Sequence, residues 1–211
     1  MAKEERILAI DIGATSIKLC EFVYSAEQTI SLALFAQREY EEELSEGTRM
    51  GVVAGLLRQM LAEGADIIDI GGESTRPGAT PVGVQEELDR VMPVIDALVA
   101  DGIAAPISID TYKPLVADQA IQAGASIIND VHGLQGAPEM AEVAALHDVP
   151  VIVMHWDKAR DPAVPLLDSM AAYFSRSIAI AAQAGIDENR LILDPGFGFG
   201  KTLVENYAVL Q

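Results

Sequence analysis

Apolar residues follow two different rhythms along this chain. From Ala65 onward, short runs of Ile, Val and Leu recur: ADIIDI (65–70), PISI (106–109), ASIIN (125–129), PVIVM (150–154) and RLIL (190–193). Runs this short and this continuously apolar suit parallel strands covered on both faces. The segments between them space their apolar residues by three and four, as in Val84, Leu88, Val91, Met92, Ile95, Leu98 and Val99. That spacing lays one stripe along a helix. It predicts helices over 84–99, 113–123, 138–147 and 166–184, with Gly102, Gly124 and Gly185 where left-handed C-terminal caps are expected. Strands and helices in alternation, joined by short loops, predict a parallel α/β fold.

Residues 1–48 keep the other rhythm. RILAIDIG, SIKLCEFVY and TISLALFAQREY are strand-like and succeed one another with no helix between them. Connections this short force antiparallel pairing, so a three-stranded meander is expected. The acidic EYEEELSEG reads as a solvated connector into a helix over 48–63. The chain divides accordingly into a β-meander (1–48), a connecting helix and seam (49–64) and an α/β region (65–211).

Composition narrows the function. Half of the 211 residues are hydrophobic, enough for a sizeable core. A formal charge of −18 repels phosphate backbones and argues against nucleic-acid binding. The single cysteine, Cys20, excludes an internal disulfide and fits a reducing compartment. Neither a signal peptide nor an apolar run long enough for a membrane span is visible, so a cytoplasmic protein is expected.

The stretch LDPGFGFGKT (193–202) carries the first chemical question. It has the look of a phosphate loop, yet Pro195 stands where a Walker A loop needs its first glycine, and G-x-G-x-G is not the dinucleotide fingerprint. Its neighbours suggest another use. In parallel α/β folds, ligands gather beyond the carboxyl ends of the strands. The five runs here end in Asp69 and GGESTRPG, in Asp110, Thr111 and Lys113, in Asn129 and Asp130, in Met154 and His155, and in Asp194 with its glycine loop. Such carboxylates and amides suit a flat amino-heterocycle with an N–H edge, which Met154, Phe197 and Phe199 could sandwich. Thr75 and Arg76 are candidates for an anionic tail. Taken singly, Asp69, Asp110 or Asp194 could equally cap the following helix, and Asn129 could hold a turn. His155, Trp156 and Tyr173 read as packing residues.

ADIIDIGGESTRPGATPV, ISIDTYKP, GASIINDVHGLQ and ILDPGFGFGKT resemble the matching segments of dihydropteroate synthases, in order and over residues 60–211. The resemblance implies a TIM (β/α)8-type barrel that joins 6-hydroxymethyl-7,8-dihydropterin pyrophosphate to p-aminobenzoate in folate biosynthesis. It implies that Asp110, Asn129 and Asp194 hydrogen-bond the pterin, that Met154 and Phe199 flank it, and that Lys201 belongs to the substrate-binding loop. Thr75, Arg76 and Pro77 would lie on a mobile loop closing over p-aminobenzoate and pyrophosphate. Pyrophosphate leaves first in the family's mechanism, so the work is positioning and electrostatic stabilisation, with no covalent nucleophile. Mg2+ is the family's metal, but its Asn-x-Thr-x-Asp-Ser-Phe loop does not occur in residues 1–64, and the metal ligands stay unassigned. The family's Ser-Arg-Lys-Ser and Arg-x-His motifs are not found either, so a partial barrel with impaired activity is expected. An open sheet favours self-association.

LAIDIGATSIKLCEF resembles the first phosphate motif of actin-like ATPases, and residues 6–62 are similar to the start of the pilus assembly family PilM. That likeness implies nucleotide contacts from Asp11, Gly13, Thr15, Ser16 and Lys18. The chain therefore reads as a hybrid with its seam near residues 58–66. An ATP-binding or pilus-scaffold module using this hairpin is the alternative function, and a chimeric fold without a ligand is the third.

Overall fold

The computed structural model describes the backbone of residues 5–12, 16–24 and 30–39, single residues between 55 and 62, and residues 65–75 and 79–210. Eight strands form one sheet in the order β3-β2-β1-β4-β5-β6-β7-β8. Strands β1 (Glu5–Ile12), β2 (Ser16–Tyr24) and β3 (Ile30–Glu39) make the expected antiparallel meander, with Asp11 opposite Lys18 at its β1–β2 end. Strands β4 (Ile68–Gly71), β5 (Ile107–Asp110), β6 (Ile127–Asp130), β7 (Val151–Met154) and β8 (Leu191–Asp194) are all parallel. Each lies within three residues of the apolar run that predicted it.

The two halves meet through a parallel pairing of β1 with β4, Leu8 opposite Ile68 and Ala9 opposite Asp69. The sequence predicts an open sheet; in the structure the β4 edge is covered by β1, and β8 pairs with no further described strand. Of the helix expected over 48–63, residues 55, 57, 58, 61 and 62 are described and are helical, and Leu57 is buried in the core.

Helices α1 (Val84–Ala100), α2 (Pro114–Ala123), α3 (Pro138–His147) and α4 (Leu166–Ala184) alternate with the parallel strands, and α5 (Leu203–Val209) follows β8. Proline opens α2 and α3 at the first turn, where its missing N–H costs no bond. Gly124 and Gly185 end α2 and α4 at positive φ, as the sequence predicts; α1 is capped by Asp101, and Gly102 follows it at φ +67°. Ile68, Ile70, Ile107, Ile109, Ile128, Val151 and Val153 supply the strand side of the core, packed under Val91, Ile95, Val116, Ala120, Met140 and Ala144 of the helices. These strands and helices are consecutive units of a partial (β/α)8-type barrel.

Candidate functional site

Side chains alternate across a strand, so register decides which residues share a face. Asp69 pairs with Ser108, Gly71 with Asp110, Asp110 with Asn129, Asn129 with Ile152, and Met154 with Asp194. Asp69, Asp110, Asn129, Met154 and Asp194 therefore stand on one face at the carboxyl ends of the five parallel strands, opposite the Ile/Val face that the helices cover. Asp130, one residue beyond Asn129, falls on the other face. It is 1% exposed and accepts from the backbone N–H groups of His132 and Leu134, holding the turn after β6.

The helix-capping reading of the site aspartates does not apply. The N-caps of α1, α2 and α3 are Gly83, Lys113 and Ala137, none with a side-chain capping bond. Asp194 has a local duty, since its Oδ1 accepts from the Gly196 amide at 2.7 Å. Asn129 Nδ2 donates to Asp69 Oδ2 at 3.0 Å, and the second Asp69 oxygen is buried with no hydrogen-bond partner among the described residues. Burial pushes the Asp69 carboxyl up to about 6, a rise that the Ser108 hydroxyl and the Asn129 amide oppose and the charge of Asp194 reinforces. Burial likewise raises Asp194, against the pull of the Gly196 N–H and the nearby Lys201 ammonium.

The glycine loop forms one wall. Gly196, Gly198 and Gly200 all have positive φ, which explains their alternation in the sequence. A Cβ at Gly196 would lie 2.3 Å from the His155 carbonyl oxygen and 3.0 Å from Met154 Cγ, so only glycine lets the loop rest against the end of β7. Lys201 donates to the carbonyls of His155, Gly196 and Phe199 at 2.9–3.2 Å and thus fastens the loop. Burial lowers its ammonium to about 8. Phe199 packs edge-on against Trp156 at 5.2 Å. His155 is 2% exposed, with both ring nitrogens unbonded among the described residues and its ring edge-on to Tyr173, as the packing reading anticipates.

A cleft of about 350 Å³ opens at the same rim, lined by Glu73, Thr75, Tyr112, His132, Trp156 and Lys158 among others. Tyr112, His132 and Trp156 stand in a tilted series with centroids 4.8 and 5.8 Å apart, and the Lys158 ammonium lies 3.9 Å from the Trp156 ring centre. Below Thr75, Lys113 bridges the carboxylates of Glu73 and Glu87, and the Tyr112 hydroxyl donates to Glu73. This clamp and the Tyr112–His132–Trp156 series had no periodic signal in the sequence, because their partners are up to 40 residues apart.

Thr75 lines the cleft, whereas Arg76 and Pro77 lie outside the described residues. Of the hairpin candidates, Asp11, Ser16 and Lys18 fall on β1 and β2, and Gly13 and Thr15 lie outside the described residues.

A row of carboxylates and an amide at the carboxyl rim of a parallel α/β half-barrel is the class of arrangement that offers hydrogen bonds to a small polar ring. Comparison with known proteins specifies it further. The family model described as pterin binding enzyme matches residues 51–211. Dihydropteroate synthase of Bacillus subtilis is 51% identical over 154 residues, covering 73% of this chain and 53% of the relative. Among solved structures, the dihydropteroate synthase FolP of Clostridium difficile, determined in the presence of pteroic acid, superposes with a TM-score of 0.72 at 41% identity, covering 76% of this chain and 60% of that one. The Xanthomonas albilineans dihydropteroate synthase with 4-aminobenzoic acid gives 0.71 at 45% identity, with 79% and 61% covered. The chain belongs to the pterin binding enzyme family. It spans about half the length of the curated relatives it matches. The family match leaves out residues 1–50, and with them the hairpin of the nucleotide reading.

Proposed function

We propose that the chain binds a pterin on the Asp110–Asn129–Asp194 row and acts as a transferase joining 6-hydroxymethyl-7,8-dihydropterin pyrophosphate to p-aminobenzoate. The observation that carries this reading is the row itself: three hydrogen-bonding side chains from three strands on one face. Its support includes relatives named for the same reaction. In this proposal Asp110, Asn129 and Asp194 take the N–H edge of the pterin, and Met154 and Phe199 border the ring. Thr75, with Arg76 and Pro77 beyond it, meets p-aminobenzoate and the leaving diphosphate, and Lys201 holds the glycine loop.

The chemistry follows from the charges. Departure of pyrophosphate leaves positive charge on the pterin, and the carboxylates of Asp69, Asp110 and Asp194 are already fixed beside it. Preorganised groups of this kind stabilise developing charge without reorganising, and loss of one costs ~10²–10³ in rate. The pyrophosphate departs first with the electron pair of the broken C–O bond; the aniline nitrogen then attacks the cationic pterin methylene, and the proton it sheds on forming the C–N bond passes to solvent.

Mg2+ is the metal that the resemblance implies. Among the described residues no group of three or more His, Cys, Asp or Glu side chains is arranged to hold a metal ion, so these residues do not form its site and no step is routed through it. No described helix is long and apolar enough to cross a membrane. Self-association through the β8 side belongs to the same reading, since Ile192 and Leu193 there are 45% and 49% exposed. The test of function is pyrophosphate release by the full chain from the pterin substrate: release that depends on p-aminobenzoate supports the transferase, and its absence with pterin binding intact leaves a pterin-binding protein.

A further inference from the structure

The resemblance that singles out Asn129 assigns nothing to the carboxylate behind it. We infer that Asp69 is a positioning residue: by accepting from Asn129 Nδ2, it leaves the Asn129 carbonyl oxygen as the acceptor for a heterocyclic N–H. An asparagine amide has one donor end and one acceptor end, and the two can exchange by a half-turn. An ionised carboxylate accepts only, so its presence 3.0 Å from the amide admits one of the two orientations. Protonation turns that carboxyl into a donor and allows the opposite orientation, in which Asn129 meets the ligand N–H with its own NH₂. The inference rests on the pterin reading above.

The setting makes this switch accessible. Asp69 faces Ser108 and Asp110 on β5, Asn129 on β6 and Asp194 on β8, with Ala9 as its register partner on β1 and Asp11 two residues further along. Burial among these groups holds its carboxyl near 6, within reach of ordinary buffers. Stability alone would favour a neutral residue here, because burial of the carboxylate costs free energy. Holding the Asn129 amide in one orientation is what the charge supplies in return.

The experiment is calorimetric titration of the full chain with 6-hydroxymethylpterin from pH 5 to 7.5, for the wild type, Asp69→Asn, Asp69→Ala, Asn129→Ala and the double variant Asp69→Ala/Asn129→Ala. The amide introduced by D69N, like a protonated carboxyl, can both accept from and donate to Asn129, so it admits both orientations at every pH. This variant therefore binds about tenfold more weakly than the wild type at pH 7.5, as the wild type does at pH 5, and D69A loses about tenfold or more. One proton with a midpoint near 6 weakens wild-type binding about tenfold at pH 5 relative to pH 7. D69N lacks that part of the pH dependence and keeps whatever Asp110 and Asp194 contribute. Because Asp69 acts through Asn129, the double variant binds as N129A does. Circular dichroism at each pH confirms that the variants are folded. Losses that add in the double variant, or wild-type affinity in D69A, overturn the role of Asp69 alone. Absence of pterin binding by the folded wild type at every pH overturns the pterin reading, and the role of Asp69 with it.

Discussion

The Lys201 ammonium donates to the carbonyl oxygen of His155 at 3.2 Å and so ties the glycine loop after β8 to the residue that follows β7. Two further carbonyls, of Gly196 and Phe199, take the remaining donors. A lysine that a phosphate-loop reading would aim at a nucleotide is therefore spent on shaping the loop that follows β8. Lys201→Met removes three hydrogen bonds to partly buried carbonyls and is expected to cost about 1–3 kcal/mol. Chemical denaturation measures it, and a larger proportional loss in pterin affinity than in stability would show that loop shape is the main role.

Gly196→Ala tests the same loop by sterics. Its φ of +66° and the 2.3 Å approach of a Cβ to the His155 carbonyl combine backbone strain with a clash that only backbone movement relieves. A loss of about 2–4 kcal/mol in unfolding free energy is expected. Gly198→Ala, with positive φ but open space around it, should cost less.

Lys113 sits between two carboxylates, one of them on Glu87, which is 1% exposed. Lys113→Met leaves that charge buried and uncompensated, a change expected to cost about 3–5 kcal/mol. The double variant Lys113→Met/Glu87→Leu removes the stranded charge and should recover a large part of it. Thermal melts of the two variants decide the point: equal melting temperatures would mean that the buried charge is not the source of the loss.

His155 and Asp69 give opposite pH dependences of stability. Burial lowers the His155 imidazole to about 4, with the Lys201 charge adding to the effect, so its contribution is present above pH 6.5 and is lost as pH falls through 4. His155→Phe should therefore flatten the acid limb of the stability curve. The Asp69 carboxyl is raised to about 6, so its stability contribution is full below 3.8 and is lost as pH rises through 6. Asp69→Asn should be more stable than wild type above pH 6 by about 1–3 kcal/mol, with the difference vanishing near pH 3.8.

Much of this architecture is legible in the sequence because its signals are local. Runs such as IIDI and VIVM suit covered strands, and Pro114, Pro138, Gly124 and Gly185 mark helix ends by backbone chemistry that needs no distant partner. Asp110, Asn129 and Asp194 are legible as strand-end polar groups. What the sequence leaves open depends on long-range geometry. Asn129 and Asp130 look alike in the chain, yet a one-residue step sends them to opposite faces. The parallel docking of β1 on β4 joins segments about 60 residues apart with no motif to announce it. Lys113 is only a polar residue after a strand, and Lys201 only a member of the glycine loop, until their partners, two carboxylates and three carbonyls, are known.

The central claim is that Asp110, Asn129 and Asp194 form a pterin site, and calorimetric titration of the full chain with 6-hydroxymethylpterin tests it most directly. The account predicts saturable binding at one site by the wild type, weakened at least tenfold in Asp110→Ala and Asp194→Ala and unchanged in Asp11→Ala. Equal affinity in all four proteins would contradict it.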